Sequence, residues 1–187
     1  EYTDVSLMGV GTNILGYANA EIDRAVKINI DKSNMSTLNC PEEVFLAEKL
    51  ISMHSWSEMA RFARTGGEAN SIAIRIARAA SGKDGVAICG YHGWHDWYLA
   101  ANISSNDSLR DHLLPGLATN GVPKALRNTT FPFQYNDIDT LKKIIRENDI
   151  GVIKMEVTRN LQPKDNFLTS VRQLASENNL VLIFDEC

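Results

Sequence analysis

The chain reads as an α/β fold of three layers, αβα, built around a mostly parallel sheet, and three features of the sequence support this. Helix-period and strand-period segments alternate along its length, which is the pattern of βαβ construction. The strand-like runs are short and apolar throughout, as in Val86-Ala87-Ile88-Cys89 and Leu180-Val181-Leu182-Ile183-Phe184, and so suit strands buried on both faces. The last run ends in Asp185-Glu186, which puts acid at the carboxyl end of a strand, where open α/β sheets bind ligands.

Taken in order, Ala20 to Ile30 sets Ile22, Ala25, Val26 and Ile30 on one helical face. Pro41 opens a second helix at its first position, Glu42 and Glu43 suit its positive end, and Val44, Ala47, Leu50 and Ile51 form its apolar stripe. Both helices are expected as layers over the sheet. Met59 to Arg64 reads as a short strand, Gly66-Gly67 as a turn, and Glu68 to Ala80 as a helix that turns Ala69, Ile72, Ala73, Ile76 and Ala80 inward and closes at Gly82. Val86 to Cys89 is the next strand. Asn102 to Asn128 mixes Asn, Ser, Gly and Pro with weak periodicity, and reads as a long surface excursion and candidate lid. Thr129 to Phe133 is expected at a sheet edge, because Pro132 has no N–H for a ladder. Asp137 then caps a helix with Ile138, Leu141, Ile144 and Ile145 inward; Gly151 to Glu156 is a strand, Asn166 to Glu177 a helix, and Leu180 to Asp185 the final strand.

At 187 residues the chain is long enough to bury a core without staples, and its net charge of −4 gives no basic footprint for nucleic acid. The three cysteines are odd in number and lack C-x-x-C spacing, which argues against a disulfide framework or zinc knuckle and for a reducing, cytoplasmic setting. No apolar run approaches the roughly 20 residues of a membrane span. Glu1-Tyr2-Thr3-Asp4 has neither an initiator Met nor a signal pattern, and a strand-end acid pair sits one residue from the other terminus, so both ends are expected to be cut.

Three segments carry chemistry. Arg64-Thr65-Gly66-Gly67-Glu68-Ala69-Asn70 joins a strand to a helix through paired glycines, which lets N–H groups approach an anion at the positive helix end; the same residues also serve a plain tight turn. Gly90-Tyr91-His92-Gly93-Trp94-His95-Asp96-Trp97-Tyr98 follows a strand and offers ring faces to a planar ligand, while Trp94, Trp97 and Tyr98 equally suit core or interface positions. His92, His95 and Asp96 have a metal-like spacing without a further well-spaced ligand, so no metal is expected. A carboxylate at Asp185 suits a pyridine nitrogen, which it keeps protonated, and also suits a solvated strand exit. Glu156, at the end of another apolar strand, is expected to line the same pocket, whereas Lys154 is expected to point elsewhere.

In this order the segments resemble the fold-type I, class III aminotransferases that use pyridoxal 5'-phosphate (PLP), most closely their glutamate-1-semialdehyde aminomutase-like branch. Leu15-Gly16-Tyr17-Ala18-Asn19-Ala20-Glu21-Ile22 resembles that family's opening segment, Thr65-Gly66-Gly67-Glu68-Ala69 its phosphate turn, Tyr91-His92-Gly93 its ring-stacking loop, and Phe184-Asp185-Glu186 its acid pair. The resemblance implies that Thr65 and the N–H groups of Gly66 and Gly67 hold the phosphate, that Tyr91 stacks on the ring with His92 beside it, that Asp185 pairs with the ring nitrogen, and that Glu156 stands near the substrate end. Gly11, Thr12 and Asn13 match a segment that shapes the substrate entrance. Gly67 stands where the family often has Thr or Ser, and Val157 where it usually has Pro.

The resemblance further implies that residues 1–40 lie at the substrate and dimer side and that 41–187 form part of the PLP-binding large domain, truncated at its C-terminal end. The Schiff-base lysine is expected downstream of Cys187, so this piece alone is expected to be inactive. For the complete protein the expected activity is transamination or intramolecular amino transfer by a homodimer, between small-molecule amino donors and acceptors, with no nucleic-acid or membrane partner. The alternative on the residues alone is a non-catalytic α/β module that binds a phosphorylated ligand.

Overall fold

The computed structural model describes residues 2–32, 37–104, 108–112, 116–158 and 160–187. They fall into two compact units, Glu1–Arg61 and Phe62–Cys187.

The first unit holds α1 (Ala20–Asp31) and α2 (Pro41–Met53). Asn19 caps α1, its side chain accepting from the N–H groups of Glu21 and Ile22, and Pro41 opens α2 where a missing N–H costs nothing. Both helices form where expected, but neither buries a residue. Ile22, Val26 and Ile30, the apolar stripe of α1, are about half exposed. An apolar stripe fixes the helix and not what covers it. Met59 to Arg64 forms no strand; it pairs with no ladder among the described residues.

The second unit is built on four parallel strands: β1 (Gly85–Cys89), β2 (Thr130–Pro132), β3 (Ile150–Glu156) and β4 (Val181–Asp185). Their order is β2-β1-β3-β4, with Pro132 on an edge strand as its missing N–H requires. One face packs on α3 (Gly66–Ser81) and α4 (Asp96–Leu99) through Ile74, Ala77, Trp97, Tyr98, Val86, Ile88 and Val152. The other packs on α6 (Ile138–Glu147) and α7 (Phe167–Glu177), after α5 (Ala101–Ser104), through Leu141, Val171, Ala175, Ala87, Ile153 and Met155. Helices on both faces of a parallel sheet make the three layers. β4 is only partly buried, with Phe184 40% exposed, because it is an edge strand among those described; the expectation of burial on both faces holds for β1 and β3 instead.

Thr65 caps α3 by accepting from the Glu68 N–H at 3.1 Å, and Gly82 closes it in the left-handed conformation at φ +68°. The inward face differs from the expected one. Ile74 and Ala77 are buried with Asn70 and Ser71 beside them, while Ile76 is 59% exposed, because this helix presents polar residues to the strand ends and its apolar count misplaces the buried face. Trp97 and Tyr98 are core aromatics; Trp94 is exposed.

The 102–128 stretch, whose residues 105–107 and 113–115 lie outside the described ones, runs mostly exposed where it is described but is anchored by a few buried residues. Leu109, His112 and Val122 are buried, and buried Asn102 accepts from the Leu109 N–H at 3.0 Å and donates to Leu117 O at 3.2 Å. These bonds satisfy backbone groups that weak periodicity leaves without a ladder. Among the described residues no helix is long and apolar enough to cross a membrane.

Candidate functional site

The strand ends of the second unit bring together residues far apart in sequence. Parallel pairing sets Glu156 beside Asp185 at the carboxyl ends of β3 and β4. The turn into α3 and the loop after β1 then close over those ends. A Cβ on Gly93 would lie 3.1 Å from Gly67 Cα, so the two backbones touch through their missing side chains, and Gly93 takes φ +91°, a conformation that favours glycine.

Asn70, one turn into α3, ties these pieces together. Its side-chain amide donates to His92 O at 3.3 Å and to Asp185 Oδ2 at 3.1 Å. His92 is buried; its Nδ1 donates to the same Asp185 Oδ2 at 2.9 Å, and its Nε2 lies 3.1 Å from Cys89 O. Lys154 completes the cluster, its Nζ donating to Asp185 Oδ2 at 3.2 Å from a side chain only 1% exposed. This corrects the expectation that Lys154 points elsewhere. Residues two apart on a strand share a face, so Lys154 and Glu156 both look toward the α3 side.

The charges follow from this geometry. Burial alone would raise the Asp185 pKa; the hydrogen bond from His92 and the Lys154 ammonium outweigh it and hold the carboxyl well below the usual carboxylate range. Burial lowers the Lys154 pKa, and Asp185 opposes that. Burial also lowers the His92 pKa against the pull of Asp185, with Lys154 adding to the lowering.

Tyr91 and Glu156 line one cavity of about 120 Å³ together with Gly90, His112, Gln134 and Tyr135. Tyr98 braces Tyr91 edge-on, with ring centroids 6.0 Å apart, and donates its hydroxyl to Gly90 O at 2.9 Å. Tyr135 donates to Val157 O, and the Val157 N–H donates to Asp185 O at 3.2 Å, a bond that the proline usual in the resembled family could not make. Cys89, whose thiol burial pushes up to about 12, is no nucleophile at this wall.

His112 Nδ1 accepts the Gly90 N–H at 3.0 Å, so its neutral form is the one the loop uses. Burial lowers its pKa. A histidine whose folded pKa is depressed contributes stability that is fully present above its unfolded pKa of about 6.5 and is lost as pH falls through the folded value. The protein is therefore expected to lose about 1–3 kcal/mol on acidification below that point, the cost of stranding a buried donor. Asp185, also depressed, adds a further loss only below about pH 4. Urea midpoints measured from about pH 7.5 to 5 check this, with His112→Asn, which keeps an acceptor for Gly90, expected to reduce the slope and leave the part due to His92, whose pKa is lowered as well.

Of the sequence-predicted residues, the structure gathers Gly67, His92, Glu156 and Asp185 around the strand ends, with Tyr91 on the cavity wall and Thr65 and Gly66 at the start of α3. Gly11, Thr12 and Asn13 sit in a turn of the first unit, where Thr12 Oγ1 donates to Gly9 O at 2.7 Å. His92 turns its ring nitrogens to Asp185 and Cys89 O, not toward exposed His95 and Asp96, and among the described residues no three metal-ligating side chains converge. Sequence reasoning missed Asn70 and Lys154. The signal for the second was available: it is the one charge inside the apolar run Ile150 to Met155.

Residues 1–187 match the family described as aminotransferase class-III. The chain is 36% identical to a glutamate-1-semialdehyde 2,1-aminomutase of Methanothrix thermoacetophila, over 96% of this chain and 42% of that protein. It is 35% identical to a 3-aminobutyryl-CoA aminotransferase of Cloacimonas acidaminovorans, over 100% of this chain and 43% of the relative. Among solved structures it matches a transaminase with PLP bound at a TM-score of 0.82 and 26% identity, over 96% of this chain and 43% of the other. The chain thus spans about 43% of the length of such proteins. Class III aminotransferases and aminomutases depend on PLP, and the four-stranded parallel sheet with its flanking helices has the fold-type I architecture of its structural neighbours. On the match across its whole length and the shared fold, the chain belongs to the class III aminotransferase family.

Proposed function

We propose that the complete protein carries out PLP-dependent transamination or intramolecular amino transfer on an amino acid, amino aldehyde or keto-sugar-type substrate, with the Schiff-base lysine outside these residues. The observation that carries the proposal is the Asn70 bridge, which joins the start of α3, the loop after β1 and the acid at the end of β4.

The residues fit the cofactor. The N–H groups of Gly66 and Gly67 open a 16-residue helix and have no partner among the described residues, which with the Thr65 hydroxyl suits a phosphate. Asp185 Oδ2 is taken by three donors, while Oδ1 meets only the Cys187 N–H at 3.4 Å, so Oδ1 is the oxygen left for a ring N–H. Tyr91 offers a ring face and Glu156 a carboxylate at the substrate end. When bound, PLP supplies an electron sink for charge developing at the substrate α-carbon. The chain's own residues bind and orient it, and hold the proton on its nitrogen.

The same reading includes a cytoplasmic homodimer, for which family membership is the support. The test uses the full-length gene product loaded with PLP. A visible absorbance band that shifts when L-glutamate or L-alanine is added is the expected result. A protein that retains PLP without any response to a panel of amino donors rejects amino transfer and favours a phosphorylated-ligand module.

A further inference from the structure

We infer that Lys154 is a positioning residue for the cofactor's ring nitrogen: it fixes which oxygen of Asp185 meets the ring and, as a second cation on that carboxylate, weakens the ring nitrogen's hold on its proton. The inference rests on the PLP reading above.

Lys154 stands between apolar ladder partners, Ile88 on β1 and Ile183 on β4, and is 1% exposed. A buried ammonium is costly unless it is paired, so a strand that needed only packing here is better served by an aliphatic residue. The pairing is specific. Lys154 Nζ bonds Asp185 Oδ2 at 3.2 Å, the same oxygen that accepts from Asn70 and His92. Three donors converging on one oxygen stop the carboxylate from turning and leave Oδ1 with only the Cys187 N–H at 3.4 Å. Of the three, Asn70 is neutral; His92 and Lys154 are the two that can carry positive charge, burial opposing it in each and Asp185 favouring it, and Lys154 is the one that brings an ammonium to Oδ2 from the sheet itself.

A protonated ring nitrogen bound at Oδ1 would share one negative charge with the ammonium on Oδ2, and each would make the other easier to deprotonate. Like charges within about 4–6 Å shift a pKa by about 1–3 units. The other ionisable groups facing this cluster are His92 from the loop after β1 and Glu156 from β3; α3 contributes only neutral Asn70 and Ile74. They are common to wild type and variants. Lys154 would therefore make a bound ring a weaker electron sink than a carboxylate paired with the ring alone would.

The test is a pH titration of the full-length protein loaded with PLP carrying ¹⁵N at the ring nitrogen, read by its chemical shift. Lys154→Met is expected to move the pH at which the nitrogen loses its proton upward by about one unit or more, a tenfold or larger gain in proton affinity, while Lys154→Arg, which keeps the charge, stays near wild type. A purely packing role leaves this titration unmoved, and a Lys154→Met protein that binds PLP and titrates with wild type overturns the inference. Failure of the PLP reading looks different, since wild type itself then takes up no cofactor. Should Lys154→Met not fold, the reciprocal coupling is read in wild type from ¹⁵Nζ-labelled lysine, with Lys154→Arg assigning the signal. PLP binding is expected to lower the Lys154 pKa, and an unchanged value overturns the inference.

Discussion

Replacing Asp185 with alanine is expected to destabilise the full-length protein by about 3–5 kcal/mol and to lower amino-transfer activity at least about 10²–10³-fold. The first effect comes from Lys154. Its ammonium is buried with Asp185 as its carboxylate partner, and removing that partner leaves a charge in an apolar wall between Ile88 and Ile183. His92 and Asn70 lose an acceptor in the same step. The second effect is separate, because the same carboxylate is the group placed to meet the ring nitrogen. A double-mutant cycle distinguishes them. Asp185→Ala with Lys154→Met removes both charges, so urea denaturation should show most of the lost stability restored, while activity stays at the level of the single variant. A double variant no more stable than Asp185→Ala would mean that Lys154 is not held as a buried ion.

The sequence made the sheet legible because its strands are short apolar runs closed by turn residues, and because Asp137 and Gly82 mark helix ends by their chemistry. What it hid was orientation. For α3 the apolar count points to Ile72 and Ile76, yet the buried face is Ile74 and Ala77 with Asn70, since a helix that ends at a site carries polar residues inward. In the site, Asp185 and Glu156 were readable as acids at strand ends. Asn70 was not, because nothing local distinguishes a bridging amide from a solvated one, and its role exists only when residues 115 positions apart come within 3.1 Å.

Gly90→Ala is the second large effect expected. Gly90 ends the run out of β1 at φ +105°, a conformation open to glycine and strained for any other residue, at about 1–3 kcal/mol. The loop cannot relax cheaply, since the Gly90 N–H is held by His112 and its carbonyl by the Tyr98 hydroxyl. A Cβ there would also lie 2.4 Å from Glu156 Oε2 and 2.8 Å from Cδ and Cγ, so the carboxylate must move, at a further cost of about 1–3 kcal/mol for overpacking. Chemical denaturation should therefore show a loss of about 3 kcal/mol, with activity falling as Glu156 leaves the cavity wall it shares with Tyr91. Adding Glu156→Ala separates the two costs. The steric part disappears and the backbone part remains, so the double variant should regain about half of the lost stability and match Glu156→Ala alone in activity. Wild-type stability in Gly90→Ala would mean that the backbone at Gly90 is free to leave the left-handed region, and that Glu156 is not seated against it.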